Sequence, residues 1–242
     1  MMYLIENRIA LLTSAALILV PLFTWRNLYE TYRSLKRKYD EDVLFQKRHN
    51  CVIMYSEFKG MSGWPPHLER IKVDFDKENC LARLREPVIY FIDTARVSLD
   101  IAFMLVTVKS VYQALIRARH NGIRVRLLLN FESMKSRLND IKSLIKEGIE
   151  VVTYISNGSG MCTIMHHKYI VKDYTLSNGY LCTGSLNLTD SGFVNNYEDM
   201  VFTSNQYLVQ AFHKDFEESW SLISIDNENL MNKNTLLDAN FV

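Results

Sequence analysis

The stretch Met165-His166-His167-Lys168-Tyr169-Ile170-Val171-Lys172-Asp173, followed by Gly184-Ser185-Leu186-Asn187, decides how the rest of the chain is read. Tyr169-Ile170-Val171 is aromatic and β-branched, which predicts a strand. Strand side chains alternate faces, so His166 and Lys168 point the same way and His167 points opposite, as a packing residue. Residues 180–183 predict a second short strand, with Ser185 and Asn187 sharing a face at its end. Asp173 has the wrong parity to project beside His166 from a straight strand, which gives it an orienting or structural role.

These residue types suit phosphodiester chemistry. A neutral imidazole attacks phosphorus and splits one hard displacement into two. Charge developing on the phosphoryl oxygens needs fixed cations or donors. Lys168 is a compact cation, and Ser185 and Asn187 are neutral donors. A carboxylate on the other ring nitrogen fixes the histidine tautomer. Glu198, in Asn195-Asn196-Tyr197-Glu198-Asp199, is the candidate. This chemistry requires no metal.

His-x-Lys-x4-Asp followed by Gly-Ser-x-Asn resembles the phospholipase D superfamily, and more narrowly its single-motif members with a mitochondrial anchor, the Zucchini or mitochondrial cardiolipin hydrolase family. The likeness runs from about Asp42 to Trp220 and includes Ser98-Leu99-Asp100-Ile101-Ala102-Phe103 and Asn121-Gly122-Ile123-Arg124-Val125-Arg126. It implies that His166 is the nucleophile, that Lys168 and Asn187 grip the phosphate, that Ser185 assists, that Glu198 orients the histidine, and that Asp173 belongs to the same catalytic set. Catalysis in the superfamily uses two such motifs. With one copy here, the resemblance implies a homodimer sharing one site at its two-fold.

The same likeness implies a single-stranded RNA endonuclease acting with piRNA-pathway proteins. Hydrolysis of cardiolipin to phosphatidic acid is the rival substrate reading, and a non-enzymatic mitochondrial adaptor is a third. Animal relatives carry a cysteine-rich, zinc-binding insertion. Here that region offers His49, Cys51, His67 and Cys80, with Asp74 and Asp76 where cysteines are expected, and it lacks the close cysteine pair of a structural zinc site. Structural zinc is disfavoured, and two buried thiols with surface histidines are expected.

Residues 9–25 form 17 uncharged residues, just enough to cross a bilayer. Arg26, Arg33, Lys36, Arg37 and Lys38 follow, which keeps the following domain on the cytosolic side. The resemblance places the anchor in the mitochondrial outer membrane. The expected organisation is an anchor at 1–28, a charged stalk at 29–41, a phospholipase D-like domain at 42–225 and a polar, disordered tail at 226–242. Beyond residue 40 there are 22 basic and 24 acidic residues, which excludes a generic polyanion binder. Any RNA groove is therefore local, with Arg117, Arg119, Arg124, Arg126, Lys135 and Arg137 as the available cluster; Lys142 and Lys146 extend it but read first as a solvated helix face.

The chain pattern predicts an interrupted strand at 43–55, a loop at 59–66 and a helix at 79–94. Strands at 97–105, 123–129 and 149–155 alternate with helices at 109–120 and 136–147. A loop at 156–160 precedes the signature strand, another strand covers 197–202, and an amphipathic helix covers 206–223. The β-α-β-α-β order implies an α/β fold with a mixed but largely parallel sheet flanked by helices.

Overall fold

The computed structural model describes residues 2–72, 80–156 and 163–231. Asp74, Asp76, Cys162, most of the 156–160 loop and the tail beyond 231 lie outside the described residues. Residues 1–46 and 47–242 form two compact units. The first helix, α1 (Met2–Arg48), contains the apolar run and continues without a break at residue 28 or 41. It is long and apolar enough to cross a membrane.

The expected strand at 43–55 is corrected in its first half. Helix propagation is cheap once a helix exists, so residues 43–48 extend α1, which closes on Lys47 and Arg48. Only β1 (Cys51–Ser56) is extended. It is followed by β2 (Gly60–Ser62), inside the segment expected to be loop. Then come α2 (Cys80–Asp93), β3 (Ser98–Phe103), α3 (Lys109–His120), β4 (Arg124–Asn130), α4 (Phe131–Met134), a 3-10 turn at Lys135–Arg137, α5 (Leu138–Lys146), β5 (Glu150–Tyr154), β6 (Lys168–Lys172), β7 (Tyr180–Gly184), α6 (Asp190–Val194), β8 (Glu198–Thr203) and α7 (Gln206–Met231). Residues 226–231, expected to be disordered, are helical.

The eight strands form one sheet in the order β2-β1-β8-β7-β6-β3-β4-β5. The β-α-β-α-β reading holds for β3, β4 and β5, which are parallel. The other five pairings are antiparallel, so the sheet is mixed and mostly antiparallel rather than largely parallel. For β6 and β7, connection length is the reason. Parallel neighbours need a crossover of a dozen residues or more, and only seven residues join β6 to β7.

The sheet is buried on both faces. Ile53, Ile101, Leu127, Ile170 and Phe202 pack toward Leu84, Val88, Phe91, Val111 and Leu115 of α2 and α3. The alternate residues Ala102, Leu128, Tyr169, Val171 and Leu181 pack against Val209 and Phe216 of α7.

Two residues at the far end of β6 fix its register. Asp173 stands in the left-handed region (φ 53). Its carboxylate accepts from the backbone N–H groups of Arg96 (2.9 Å), Val97 (2.7 Å) and Ser98 (3.1 Å), while its own N–H donates to Ser98 O (2.9 Å). Lys172 is buried. Its amine donates to Thr94 Oγ1 (2.9 Å), meets His49 Nε2 and lies over the rings of Phe91 and Tyr180.

Replacing Asp173 by Ala strands three N–H donors at the start of β3. It is expected to cost about 2–3 kcal/mol, read as a lower urea midpoint, whereas Asp173→Asn costs less; an unchanged midpoint in Asp173→Ala rules the clamp out. Burial lowers the Lys172 pKa from 10.5 to about 7, against the opposing charge of Asp173. Between those values the unfolded chain binds the extra proton, so this group's contribution to stability rises with pH from about 7 toward 10. Urea midpoints measured across that window should rise more steeply for the wild type than for Lys172→Met, and equal slopes would refute this assignment.

Candidate active site

One edge of the sheet gathers the chemistry. Lys168 pairs with Phe103, so β6 begins where β3 ends. Phe103 pairs with Leu129 in β4, and Thr183 and Gly184 of β7 lie beside Tyr169 of β6 and Met200 of β8. The segment after β3 binds both signature stretches. Met104 N–H donates to His167 O (2.9 Å) and Thr107 N–H donates to Leu188 O (2.9 Å). His166 and Asn187 each stand one residue from these anchors.

His166 is exposed. Lys168 Nζ lies 3.2 Å from each of its ring nitrogens and donates to His166 O (3.0 Å). Equal distance from both nitrogens places the amine along neither lone pair, which leaves the imidazole available to an electrophile. Burial lowers the Lys168 pKa, while the charge of Glu198 raises it. A phosphate anion at this spot would favour the ammonium form in the same way as Glu198. His167 takes the opposite face, with Nδ1 3.7 Å from Asp215, as strand parity required.

Ser185 is held by β8. Its N–H donates to Asp199 O (3.1 Å), its Oγ accepts from Asp199 N–H (3.1 Å), and its hydroxyl donates to Glu198 Oε2. The preceding glycine is required by this closeness, because a Cβ on Gly184 would stand 2.1 Å from Asp199 O. The second oxygen of Glu198 accepts from Asn196 Nδ2 (2.8 Å). Within one chain, therefore, Glu198 orients Ser185 and not His166, which corrects the sequence expectation. Asn187 Oδ1 is buried without a hydrogen-bond partner. An amide with unmet capacity beside the edge suits a ligand oxygen once its Nδ2 is turned outward. Asp173 sits at the opposite end of β6 and does not join the site; its role is the backbone clamp.

Four of the six residues of the expected basic cluster do not line this edge. Arg124 pairs with Ser98 and Arg126 with Asp100, at the end of the sheet away from Lys168. Arg117 is paired with Asp93 (2.9 Å), Arg119 Nε donates to Gly148 O (2.8 Å), and Arg126 bridges Asp100 (2.8 Å) and Glu217. Lys135 and Arg137 follow the C-terminal end of β4 and do lie at the catalytic edge, in exposed pairs with Glu132 (3.8 Å) and Asp140 (3.6 Å).

The described side chains of the expected zinc candidates, His49, Cys51 and His67, do not fit a structural zinc site. His49 is a core residue, not a surface one, and its imidazole faces the Lys172 amine. Burial pushes the Cys51 thiol up to about 12, and its Sγ is directed at Arg48 O (3.6 Å). His67 is exposed, and the Cys80 side chain lies outside the described residues. Cys182, wholly buried, is also pushed upward by burial.

Asn130 was missed by sequence reasoning. It is buried at the end of β4, where its Oδ1 accepts from Met165 N–H (3.2 Å) and its Nδ2 donates to Ser133 Oγ (2.9 Å). It thus fixes the residue before His166. A polar residue closing the apolar run Leu127-Leu128-Leu129 was the available signal, since ligand sites in such sheets collect at carboxyl ends of strands.

A mixed α/β sheet carrying an exposed histidine beside a lysine and a Gly-Ser-x-Asn turn is the frame of a phosphodiesterase-type enzyme. Residues 88–220, more than half of the chain, match the family described as cardiolipin synthase, phospholipase D-like domain. The chain belongs to this phospholipase D-like family. It is homologous to mitochondrial cardiolipin hydrolases, being 31% identical to that of Xenopus laevis over 126 residues (52% of this chain, 56% of that protein) and 30% identical to that of Homo sapiens over 143 residues (59% and 52%). The chain thus matches about half the length of these relatives. The Mus musculus protein is 29% identical over 189 residues, 76% of this chain and 77% of its own length. The fold is shared with Nuc from Salmonella typhimurium, a phospholipase D family member (TM-score 0.50, 24% identity, covering 57% of this chain and 86% of Nuc).

Asn130→Ala releases the Met165 N–H and should lower kcat on bis(p-nitrophenyl) phosphate about tenfold with little change in KM. Asn130→Asp keeps the acceptor and should recover most of the loss; an Asp variant as slow as Ala would show that Asn130 serves folding alone.

Proposed function

We propose that this chain is a metal-independent phosphodiesterase that cuts single-stranded RNA through a phosphohistidine at His166. The observation that carries the chemistry is the meeting of His166, Lys168, Ser185 and Asn187 at one sheet edge. His166 Nε2 or Nδ1 attacks phosphorus, the P–O bond to the leaving oxygen breaks, and water then displaces the histidine to leave a 5′-phosphate. Lys168 and Asn187 hold the non-bridging oxygens. Ser185, held by Glu198 and Asp199, assists by donating to the same oxygens once its hydroxyl turns from Glu198 to the phosphate.

The leaving oxygen needs a proton, and one chain does not offer a second imidazole for it. Of the six histidines, His49 is in the core, His120 pairs with Glu147 (2.7 Å), His167 turns to Asp215, His213 lies near Asp100 (3.6 Å), and His67 stands in the loop after β2. The acid is therefore His166 of a second copy, and the active species is a homodimer with its two-fold at this edge. The apolar part of α1 anchors the protein in the mitochondrial outer membrane, and the basic residues after it keep the catalytic unit in the cytosol. In that position it makes the cuts that define piRNA ends, with piRNA-pathway proteins delivering the RNA. The names of its relatives favour a second reading, hydrolysis of cardiolipin to phosphatidic acid at the same His166.

Purified protein in chelator should cleave a single-stranded RNA to 5′-phosphate products, and His166→Asn should be at least about a thousandfold slower. Sedimentation should show a dimer, and excess His166→Asn subunits should silence the wild type by mixing. Release of phosphatidic acid from cardiolipin vesicles with RNA left intact would replace the first reading by the second. An active monomer would end the shared-site mechanism.

A further inference from the structure

The strand order lays the catalytic edge out as a line. Tyr55 at the end of β1 pairs with Glu198 at the start of β8, so the turn between β1 and β2 lies on the same edge as Ser185, His166 and the end of β4. Neighbouring strands are about 4.8 Å apart. Tyr197, just before β8, therefore stands about 10 Å from the strand of His166, and the β1–β2 turn stands about 15 Å from it. On the other side, the end of β4 stands about 10 Å from the strand of His166, and Lys135 and Arg137 follow it after α4.

Tyr197 is 65% exposed, yet it directly precedes Glu198, whose carboxylate is bound by both Ser185 and Asn196. Lys59 Nζ donates to its hydroxyl at 3.5 Å from the β1–β2 turn. In that turn Phe58, 56% exposed, adopts φ 48, a conformation rare for a bulky aromatic. It is held there by Phe58 N–H to Val194 O (2.9 Å) and Lys59 N–H to Ser56 O (3.0 Å). An exposed aromatic ring rigidly joined to a catalytic serine, with a cation at its tip, has no packing role to explain it.

We propose that Tyr197, with Lys59, forms a base-stacking subsite that takes an unstacked nucleobase of a single-stranded polynucleotide two strands away from the scissile phosphate. The subsite rests on the RNA reading above and names how that substrate is held. Every base offers a π-face, so an aromatic ring recognises it without sequence demand, while Lys59 neutralises the neighbouring phosphate. Cations on both flanks of His166, Lys59 on one side and Lys135 with Arg137 on the other, suit a polyanion lying along the edge. Exposed ion pairs such as Lys135–Glu132 hold their partners weakly, so those cations remain open to phosphates. The two phosphates of cardiolipin are joined by a single glycerol and do not span such a line.

The test uses the full chain in detergent and three substrates: a single-stranded RNA oligonucleotide, bis(p-nitrophenyl) phosphate and cardiolipin vesicles. Tyr197→Ala is expected to lower kcat/KM for the oligonucleotide about tenfold relative to the small diester, mostly through KM. Tyr197→Phe keeps the stacking face and should stay near the wild type. Equal losses on oligonucleotide and diester would assign Tyr197 to the support of Glu198 and overturn the subsite. So would an unchanged oligonucleotide KM, or a loss confined to vesicles, which would mark a membrane contact. A wild type that cuts the diester but never the oligonucleotide would sink the RNA reading itself. A wild type matched by Tyr197→Ala on the oligonucleotide would sink the subsite alone.

Discussion

The register of β6 against β3 is the constraint on which the site depends. A shift of one residue in a strand exchanges its two faces. Were β6 to slip, Lys168 would turn to the α7 side and Tyr169 would turn out of it. The carboxylate of Asp173 prevents this by gripping three successive N–H groups at the start of β3. The motif's aspartate therefore acts at the far end of the strand from its histidine, His166 against Asp173, through the backbone. The same logic recurs at the other signature stretch, where Ser185 is tied to Asp199 by both its N–H and its hydroxyl. Both signature stretches are thus placed by hydrogen bonds of the chain that carries them.

Much of this was legible from residue types and strand parity. The alternation around Tyr169-Ile170-Val171 put His166 with Lys168 and turned His167 away, because a strand has only two faces. The helices and parallel strands from 98 to 154 followed from apolar periodicity. The antiparallel entry of β6 against β3 was not legible, since it depends on how the chain re-enters the sheet. The end of α1 was misjudged because Val43-Leu44-Phe45 looks β-like in isolation, while the helix before it carries on at little cost.

The electrostatic reading failed where spacing alone was used. Arg124 and Arg126 alternate on β4 as a nucleic-acid stripe would, but Asp100 on the neighbouring strand and Glu217 on α7 consume their charge. These partners are distant in sequence. Glu198 was correctly placed near the site, but within one chain the β7–β8 pairing brings its carboxylate to the hydroxyl of Ser185. Asn130 carried a faint signal only, a polar residue closing an apolar strand.

The raised thiol pKa values of Cys51 and Cys182 have a bearing on durability. A sulfhydryl reacts with peroxide as its anion, and burial keeps these two in the protonated form throughout the ordinary pH range. Neither forms a disulfide in the folded chain. A phosphodiesterase-type enzyme whose Cys51 and Cys182 stay protonated offers peroxide no thiolate at either position.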